Sequence, residues 1–102
     1  MKVIVNQKEI ELIDANHFFI KLKGFMFKKN INICLRFKTG LIHTMFMKEF
    51  IDIIMTTRDN KVLYIFKNVP KNKFILKRQI YYTYEFPGNF IEEPITKFEV
   101  IN

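Results

Sequence analysis

The chain has 102 residues, of which 49% are hydrophobic and 16% aromatic, and it carries a formal net charge of +7 at pH 7. This length predicts a single domain, residues 1–102, with one core, and the apolar content excludes a disordered chain. The sequence contains no serine, which excludes serine-nucleophile chemistry. Neither Gly-x-x-x-x-Gly-Lys nor Gly-x-Gly-x-x-Gly occurs, so no phosphate-cradling loop of either kind is expected.

The sequence composition also indicates in which cellular compartment the protein is expected and which binding partners its charge favours. No continuous apolar stretch approaches the roughly 18 residues that span a bilayer, and the first residues lack the features of a signal peptide. A cytoplasmic protein without a membrane span is therefore predicted. Cys34 is the single cysteine, which excludes an intramolecular disulfide and fits a reducing compartment. The positive charge favours anionic partners, although an AT-rich coding sequence, indicated by abundant Lys, Ile, Asn and Phe, is the stronger explanation.

The first predicted elements are a β-hairpin and a short helix. Alternation of apolar and polar residues over 2–13 predicts a β-hairpin. Asp14 or Asn16 is then positioned to cap a short helix. Helical spacing connects its apolar residues, which are Phe18, Leu22 and Phe25 or Met26.

Short runs of β-branched and aromatic residues then predict consecutive strands. These strands span 33–37, 42–47, 51–57, 62–66, 74–76 and 80–86, with a closing strand around Phe98. Asp59 and Asn60 suit a tight hairpin turn before the fourth of them. Both faces of that strand are apolar, which predicts a central position with burial on both sides. Residues 90–102 have room for one helical turn before the closing strand.

The predicted fold class is mainly β, a β-rich α+β fold. We expect a single compact antiparallel β-barrel or sandwich with one short helix near the N-terminus. Exposed edge strands are able to pair between two copies of the chain, so the sequence is compatible with either a monomer or a homodimer.

Three segments, in this order, carry a resemblance. Residues 21–27, Lys-Leu-Lys-Gly-Phe-Met-Phe, are similar to Arg-x-Lys-Gly-Leu-Met-Phe. Residues 42–54, beginning Ile-His-Thr-Met-Phe-Met, are similar to Ile-His-Thr-x-Phe-Met-x-x-Pro-Ile-Asp-x-x-Phe, and residues 84–88, Tyr-Glu-Phe-Pro-Gly, to Leu-Glu-Leu-Pro-Ala-Gly. Over residues 12–101 the chain resembles the bacterial and archaeal family catalogued as domain of unknown function 192.

This resemblance implies a compact, mainly antiparallel β domain with a short helix near its start, and it implies no assigned reaction. The chain departs from the family pattern at three places. Phe50 stands where the family usually has proline, Asn60 replaces the turn glycine, and Phe98-Glu99 replaces a terminal Gly-Asp pair.

Candidate catalytic residues are few. Cys34, His43 and Asp52 are the residue types of a cysteine hydrolase triad. Cys34 lies in an apolar strand, however, where a small buried core residue is the more typical role. With only His17 and His43, and no helical His-x-x-x-His pair, no metal or other cofactor is predicted. The chain is more typical of a protein that is not an enzyme.

A ligand-binding hypothesis follows from polar residues in apolar strands, because such groups are hydrogen-bonded or exposed at a site. The hypothesis is a pocket for an unknown small ligand or peptide, formed by His43, Thr44, Met47, Asp52, Lys21 and Glu85. The structural alternative is that Asp52 accepts backbone or Thr hydrogen bonds and His43 tethers a loop. For Glu85, on the Thr83 side of its strand, the alternative is a solvated face.

The leading interpretation is therefore a noncatalytic binding or structural module of unknown ligand. The second is a binding protein for single-stranded nucleic acid, in which aromatic rings stack bases and cations hold phosphates. Its candidate residues are Lys71, Lys73, Lys77, Arg78 and Tyr82, with Phe74 and Tyr81 interleaved. Tyr81 and Tyr82 are expected on opposite sides of their strand, so that only one of them stacks.

Overall fold

Nine strands occur in the part of the chain that the computed structural model describes, which is residues 1–15, 32–44 and 47–102. The predicted helix begins at the edge of the first gap and lies outside the described residues. Residues 90–102 contain a strand but no helical turn, contrary to the prediction. The strands are β1 Lys2–Val5, β2 Lys8–Asp14, β3 Ile33–Phe37, β4 Leu41–His43, β5 Ile51–Thr56, β6 Val62–Val69, β7 Phe74–Leu76, β8 Tyr82–Pro87 and β9 Phe98–Ile101.

Seven strands form one sheet in the order β6-β5-β8-β3-β2-β1-β9. The neighbours are antiparallel except β2 and β3, which run parallel from the Glu11–Ile33 pair to the Asp14–Arg36 pair. The predicted antiparallel arrangement is therefore correct for every pair of neighbours in this sheet except β2 and β3.

The two faces of this sheet bury different cores, because side chains alternate along each strand. On β5, Ile51, Ile53 and Met55 join the first core, whereas Ile54 joins the second. The first core consists of Ala15, Leu35, Phe37, Ile42, Met47, Ile51, Ile53, Met55 and Val69. The second consists of Val3, Val5, Ile10, Leu12, Cys34, Ile54, Tyr84, Phe86 and Ile91.

The large sheet is curled into a half-barrel around the second core. Phe98 of β9 meets Tyr84 of β8 edge-to-face, with ring centroids 5.0 Å apart, although three strands separate β9 from β8 in the sheet order. Only a strongly coiled sheet brings these strands together. The architecture is thus an open half-barrel, where a barrel or sandwich was predicted.

A second, two-stranded sheet packs on the first core. In it Ile42 of β4 pairs with Ile75 of β7, and both contribute to that core. The opposite side of the small sheet presents Leu41, Phe74 and Leu76, which are 54%, 69% and 68% exposed. The predicted strand 42–47 is shorter than expected, since β4 ends at His43.

The hairpin between β5 and β6 is confirmed. Asn60 adopts a φ of 64°, a conformation that Asn tolerates better than most residues, and the hydroxyl of Tyr84 donates to its Oδ1. The central position predicted for residues 62–66 is wrong. β6 is an edge strand on which Leu63 and Tyr64 are exposed, whereas all six residues of β5 are buried.

Candidate functional site

Asp52 lies on β5 with no exposed surface, and both of its carboxylate oxygens accept backbone hydrogen bonds. Oδ1 accepts from the N–H of Asn68 at 2.7 Å, and Oδ2 accepts from the N–H of Ile91 at 2.9 Å. These are the bonds that the structural alternative expects. A ligand that bonded Asp52 would compete with these backbone donors, so a ligand role for this residue stays a prediction.

The hydrogen bond from the backbone N–H of Asn68 to Asp52 lies at a β-bulge between β5 and β6. Along this stretch β6 has one residue more than β5, and Asn68 adopts a φ of 52°. A bulge leaves a strand residue without its ladder partner, and the Asp52 carboxylate takes that place. The side chain of Asn68 in turn accepts the N–H of Asn89 at 3.2 Å. Asp52 therefore fixes the strand register at the start of β5.

Thr44 organises the turn from Pro70 to Lys73. Its hydroxyl donates to the carbonyl of Pro70 at 2.6 Å and accepts the N–H of Lys73 at 2.8 Å. Its backbone N–H donates to the carbonyl of Lys73 at 2.8 Å, and its carbonyl accepts the N–H of Asn72 at 3.0 Å. With 1% of its surface exposed, Thr44 holds this turn, which we call the Thr44-bound turn, against the small sheet.

His43 and Asp52 are not brought together. His43 lies opposite Phe74 in the small sheet, with ring centroids 6.1 Å apart, and that sheet packs on the first core. Asp52 pairs with Phe86 and bonds Ile91, which both belong to the second core on the other face. The structure therefore places His43 and Asp52 on opposite sides of the large sheet.

Glu85 is the predicted site residue with the most unusual environment. It lies on β8 between Leu35 and Ile53, on the face of the first core, to which Met47 also contributes. Only 3% of its surface is exposed, burial raises its pKa to about 8, and no described residue bonds its Oε1. Lys21, the predicted neighbour, lies outside the described residues.

The solvated face suggested for Glu85 is wrong, although its placement on the same side as Thr83 is correct. Strand alternation identifies the side of a residue but not what packs on that side. The small sheet covers this face of the large one. In the sequence Glu85 is one of many charged residues, but in the structure its carboxyl is buried.

The hydrolase triad is not assembled among the described residues. Cys34 is completely buried, and burial together with the charge of Glu85 raises the pKa of its thiol. β8 lies between the strands of Cys34 and Asp52, so these strands are roughly 10 Å apart. Cys34 and Asp52 also face the second core, whereas His43 lies in the small sheet on the other side.

The predicted nucleic-acid residues are mostly exposed cations. Lys71, Lys73 and Arg78 are exposed, and Lys77 is partly buried. The Nζ of Lys77 lies 4.9 Å from the ring centroid of Tyr64 and 5.9 Å from that of Phe66. The two rings are themselves stacked, with centroids 6.2 Å apart.

A second group of rings and cations surrounds Tyr81. Its ring lies 5.9 Å from the Nζ of Lys38 and 5.7 Å from the guanidinium carbon of Arg58. The guanidinium of Arg36, ion-paired with Asp14 at 2.9 Å, lies 4.4 Å from the ring centroid of Tyr82. Lys38, Arg58 and Arg36 were not predicted, because their contacts with Tyr81 and Tyr82 join residues far apart in sequence.

The expected separation of Tyr81 and Tyr82 is also wrong. Their rings meet edge-to-face with centroids 4.6 Å apart. β8 begins at Tyr82, so the alternation of strand side chains does not extend to Tyr81.

These two groups adjoin through the loop between β3 and β4. The backbone N–H of Lys77 donates to the carbonyl of Gly40 at 3.0 Å, and Lys38 is two residues before Gly40. A Cβ on Gly40 would lie 2.1 Å from the carbonyl oxygen of Lys77, so this close approach requires glycine. We call the combined set of Lys38, Arg58, Tyr64, Phe66, Lys77 and Tyr81 the basic aromatic surface.

Two other features are absent from residues 1–15, 32–44 and 47–102. No group of three or more His, Cys, Asp or Glu side chains there is arranged to hold a metal ion. The same residues include no helix of the length and apolarity needed to cross a membrane.

The fold and these surfaces define a β-rich domain similar to bacterial proteins without an assigned activity. No family model matches the chain, and no curated protein matches it. Two solved structures do. A protein of unknown function from Novosphingobium aromaticivorans DSM 12444 superposes with a TM-score of 0.74 at 16% sequence identity, covering 87% of this chain and 74% of that one.

The second similar structure is from Sinorhizobium meliloti 1021 and is provisionally named as a transcription regulator. It superposes with a TM-score of 0.73 at 14% identity, covering 85% of this chain and 79% of that one. At these identities the likeness establishes the fold alone.

Proposed function

We propose that this protein is a noncatalytic binding module for a polyanion, which it holds on the basic aromatic surface. The observation that carries this proposal is the placement of cations against the aromatic rings of that surface, at distances of 4.9 to 5.9 Å. Arginine and lysine beside aromatic rings bind phosphate groups and flat rings together.

Segregation of charge supports the same proposal. Residues 60–84 contain no Asp or Glu and six cations, which are Lys61, Lys67, Lys71, Lys73, Lys77 and Arg78. This stretch carries +6 of the net charge of +7. Codon bias accounts for many lysines, but it does not by itself separate them from the ten acidic residues. A surface with one sign of charge attracts anions over long range.

The noncatalytic part of the proposal is supported by how polar groups are used. Asp52 accepts hydrogen bonds from two backbone N–H groups, and the Thr44 hydroxyl is hydrogen-bonded to the turn that it holds. Cys34 is a buried thiol whose pKa is raised. We also propose that the chain is a divergent member of the family of domain of unknown function 192. The sequence segments and the likeness to bacterial proteins of unknown function support that membership.

Retention on a heparin column tests polyanion binding, because heparin offers charge without nucleobases. The double variant Lys38→Gln/Lys77→Gln, which removes two cations of the basic aromatic surface, is expected to elute at clearly lower salt than the unmodified protein. The matched control is Lys2→Gln/Lys97→Gln, which removes two cations already paired with Glu9 and Glu99. Equal elution of the two double variants, or no retention of the unmodified protein at low salt, would contradict the proposal.

A second candidate function is binding of a small ligand or peptide near Glu85, and it is favoured by the buried carboxyl that no described residue bonds at Oε1. A basic group on the ligand would complete that site. Amide NMR titration with small amines and guanidines tests it. Saturable shifts around Glu85 and Met47 that disappear in Glu85→Gln are expected, and shifts confined to the surface would reject this candidate.

A further inference from the structure

Phe74 is 69% exposed on the outward side of the small sheet. The core contact of β7 comes from its strand neighbour Ile75, and the ring of Phe74 contacts His43 but keeps most of its surface open to solvent. We infer that Phe74 is a stacking platform for the bases of a single-stranded nucleic acid whose phosphates follow the cations of residues 71–78. This inference rests on the proposed polyanion binding and names the class of polyanion.

The platform is held rigid from one side. The Thr44-bound turn directly precedes Phe74, and the hydroxyl and backbone of Thr44 bond it at four points. Asn72 within it adopts a φ of 64°. The turn carries Lys71 and Lys73, so two cations and one ring are presented together. A rigid platform loses little conformational entropy when a flexible strand binds to it.

A track leads from Phe74 to the basic aromatic surface. Leu76, 68% exposed, lies on the same outward side, and Lys77 follows it with its Nζ over Tyr64 and Phe66. Three residues of strand separate Phe74 from Lys77, which is roughly 10 Å. Tyr64, 40% exposed, contacts Lys77 at the end of this track.

The chemistry of the track favours single strands. Exposed aromatic rings stack on any base whose face is free, and bases within a duplex are already stacked on one another. A polyanion without bases would use the lysines but gain nothing from Phe74. The contribution of the ring therefore separates a nucleic acid from other anions.

Fluorescence anisotropy with labelled oligothymidylate of about 20 nucleotides, longer than one domain of this kind covers, tests the inference. Phe74→Leu keeps an apolar side chain but removes the ring. It is expected to weaken oligothymidylate binding by about five- to a hundredfold and to change heparin binding by less than about twofold. Phe50→Leu is the matched control, because Phe50 is 59% exposed and lies before β5, outside the small sheet.

Several results overturn the inference while leaving polyanion binding intact. These are equal oligothymidylate affinity of Phe74→Leu and Phe50→Leu, equal binding of single strands and duplex, or heparin retention without oligothymidylate binding. Loss of partition onto anionic phospholipid vesicles in Phe74→Leu, with oligothymidylate binding unchanged, would assign the ring to a lipid surface instead. Unchanged thermal unfolding of both variants establishes that the fold is retained.

Discussion

Substituting Glu85 by glutamine is expected to remove a large pH dependence of folding stability between about pH 4.5 and pH 8. Burial raises the pKa of Glu85 to about 8 from an ordinary value of 4.5, and 3% of the residue is exposed. Between these values the folded protein binds a proton that the unfolded chain has released. The free energy of unfolding therefore falls as pH rises from about 4.5 to about 8. Above about pH 8 the ionisation of Glu85 lowers it no further.

The magnitude follows from the size of the shift. Each pKa unit corresponds to about 1.4 kcal/mol, so the shift of Glu85 amounts to about 5 kcal/mol between its two limits. Glutamine has the shape of the protonated acid and does not titrate. Near pH 4.5 the two proteins should have similar stability. Near pH 8.5 Glu85→Gln should be more stable by several kcal/mol, which is a large fraction of the stability of a small domain.

Urea unfolding followed by circular dichroism at one-unit intervals from pH 5 to pH 9 measures this difference. The same substitution at Glu99, which is exposed and paired with Lys97, controls for the loss of a carboxyl as such. If the stability curves of Glu85→Gln and the unmodified protein stay parallel over this range, burial does not hold the carboxyl protonated and the reasoning is refuted.

Three further outcomes follow from the structure. Asp52→Asn should lower the free energy of unfolding by about 1–3 kcal/mol, because the amide group offers only one acceptor to two buried backbone donors; urea unfolding measures it, and a loss no larger than that of Asp59→Asn in the exposed turn would contradict it. Cys34 should react with a thiol reagent only after unfolding, and fast reaction in the native state would show that its strand opens. Lys71→Gln/Lys73→Gln should reduce the slope of log affinity against log salt for oligothymidylate by about 1.4, and an unchanged slope would place the phosphates elsewhere.

Local patterns in the sequence predict the strands well and their arrangement poorly. The bounds of β3 and β7 match the predicted ranges, and the turn at Asn60 is confirmed. Residues 62–66 were placed at the centre because both faces are apolar. An apolar edge strand has the same pattern, and only the pairing partners, which are distant in sequence, distinguish the two.

In the candidate site, too, the sequence indicated individual residues better than their spatial arrangement. Polarity within apolar strands singled out Asp52 and Thr44, and both are buried and hydrogen-bonded, as buried polar groups need to be. Their partners come from the bulge of β6 and the turn before β7, which depend on tertiary packing. The ring contacts of Lys38 and Arg58 with Tyr81 likewise depend on how distant segments meet. Sequence therefore identified unusual residues but could not determine which of them share a surface.

The pairing of β1 with β9 has a consequence for synthesis on the ribosome. Lys2 lies opposite Ile101 in the sheet, so these strands meet only when almost the whole described chain has been made. Closing so long a loop costs about 3 kcal/mol more entropy than closing the two-residue turn between β1 and β2. Until β9 arrives, β1 presents an open edge that is able to pair with other nascent chains. Translation that stalls shortly before Phe98 is thus expected to yield an aggregation-prone intermediate.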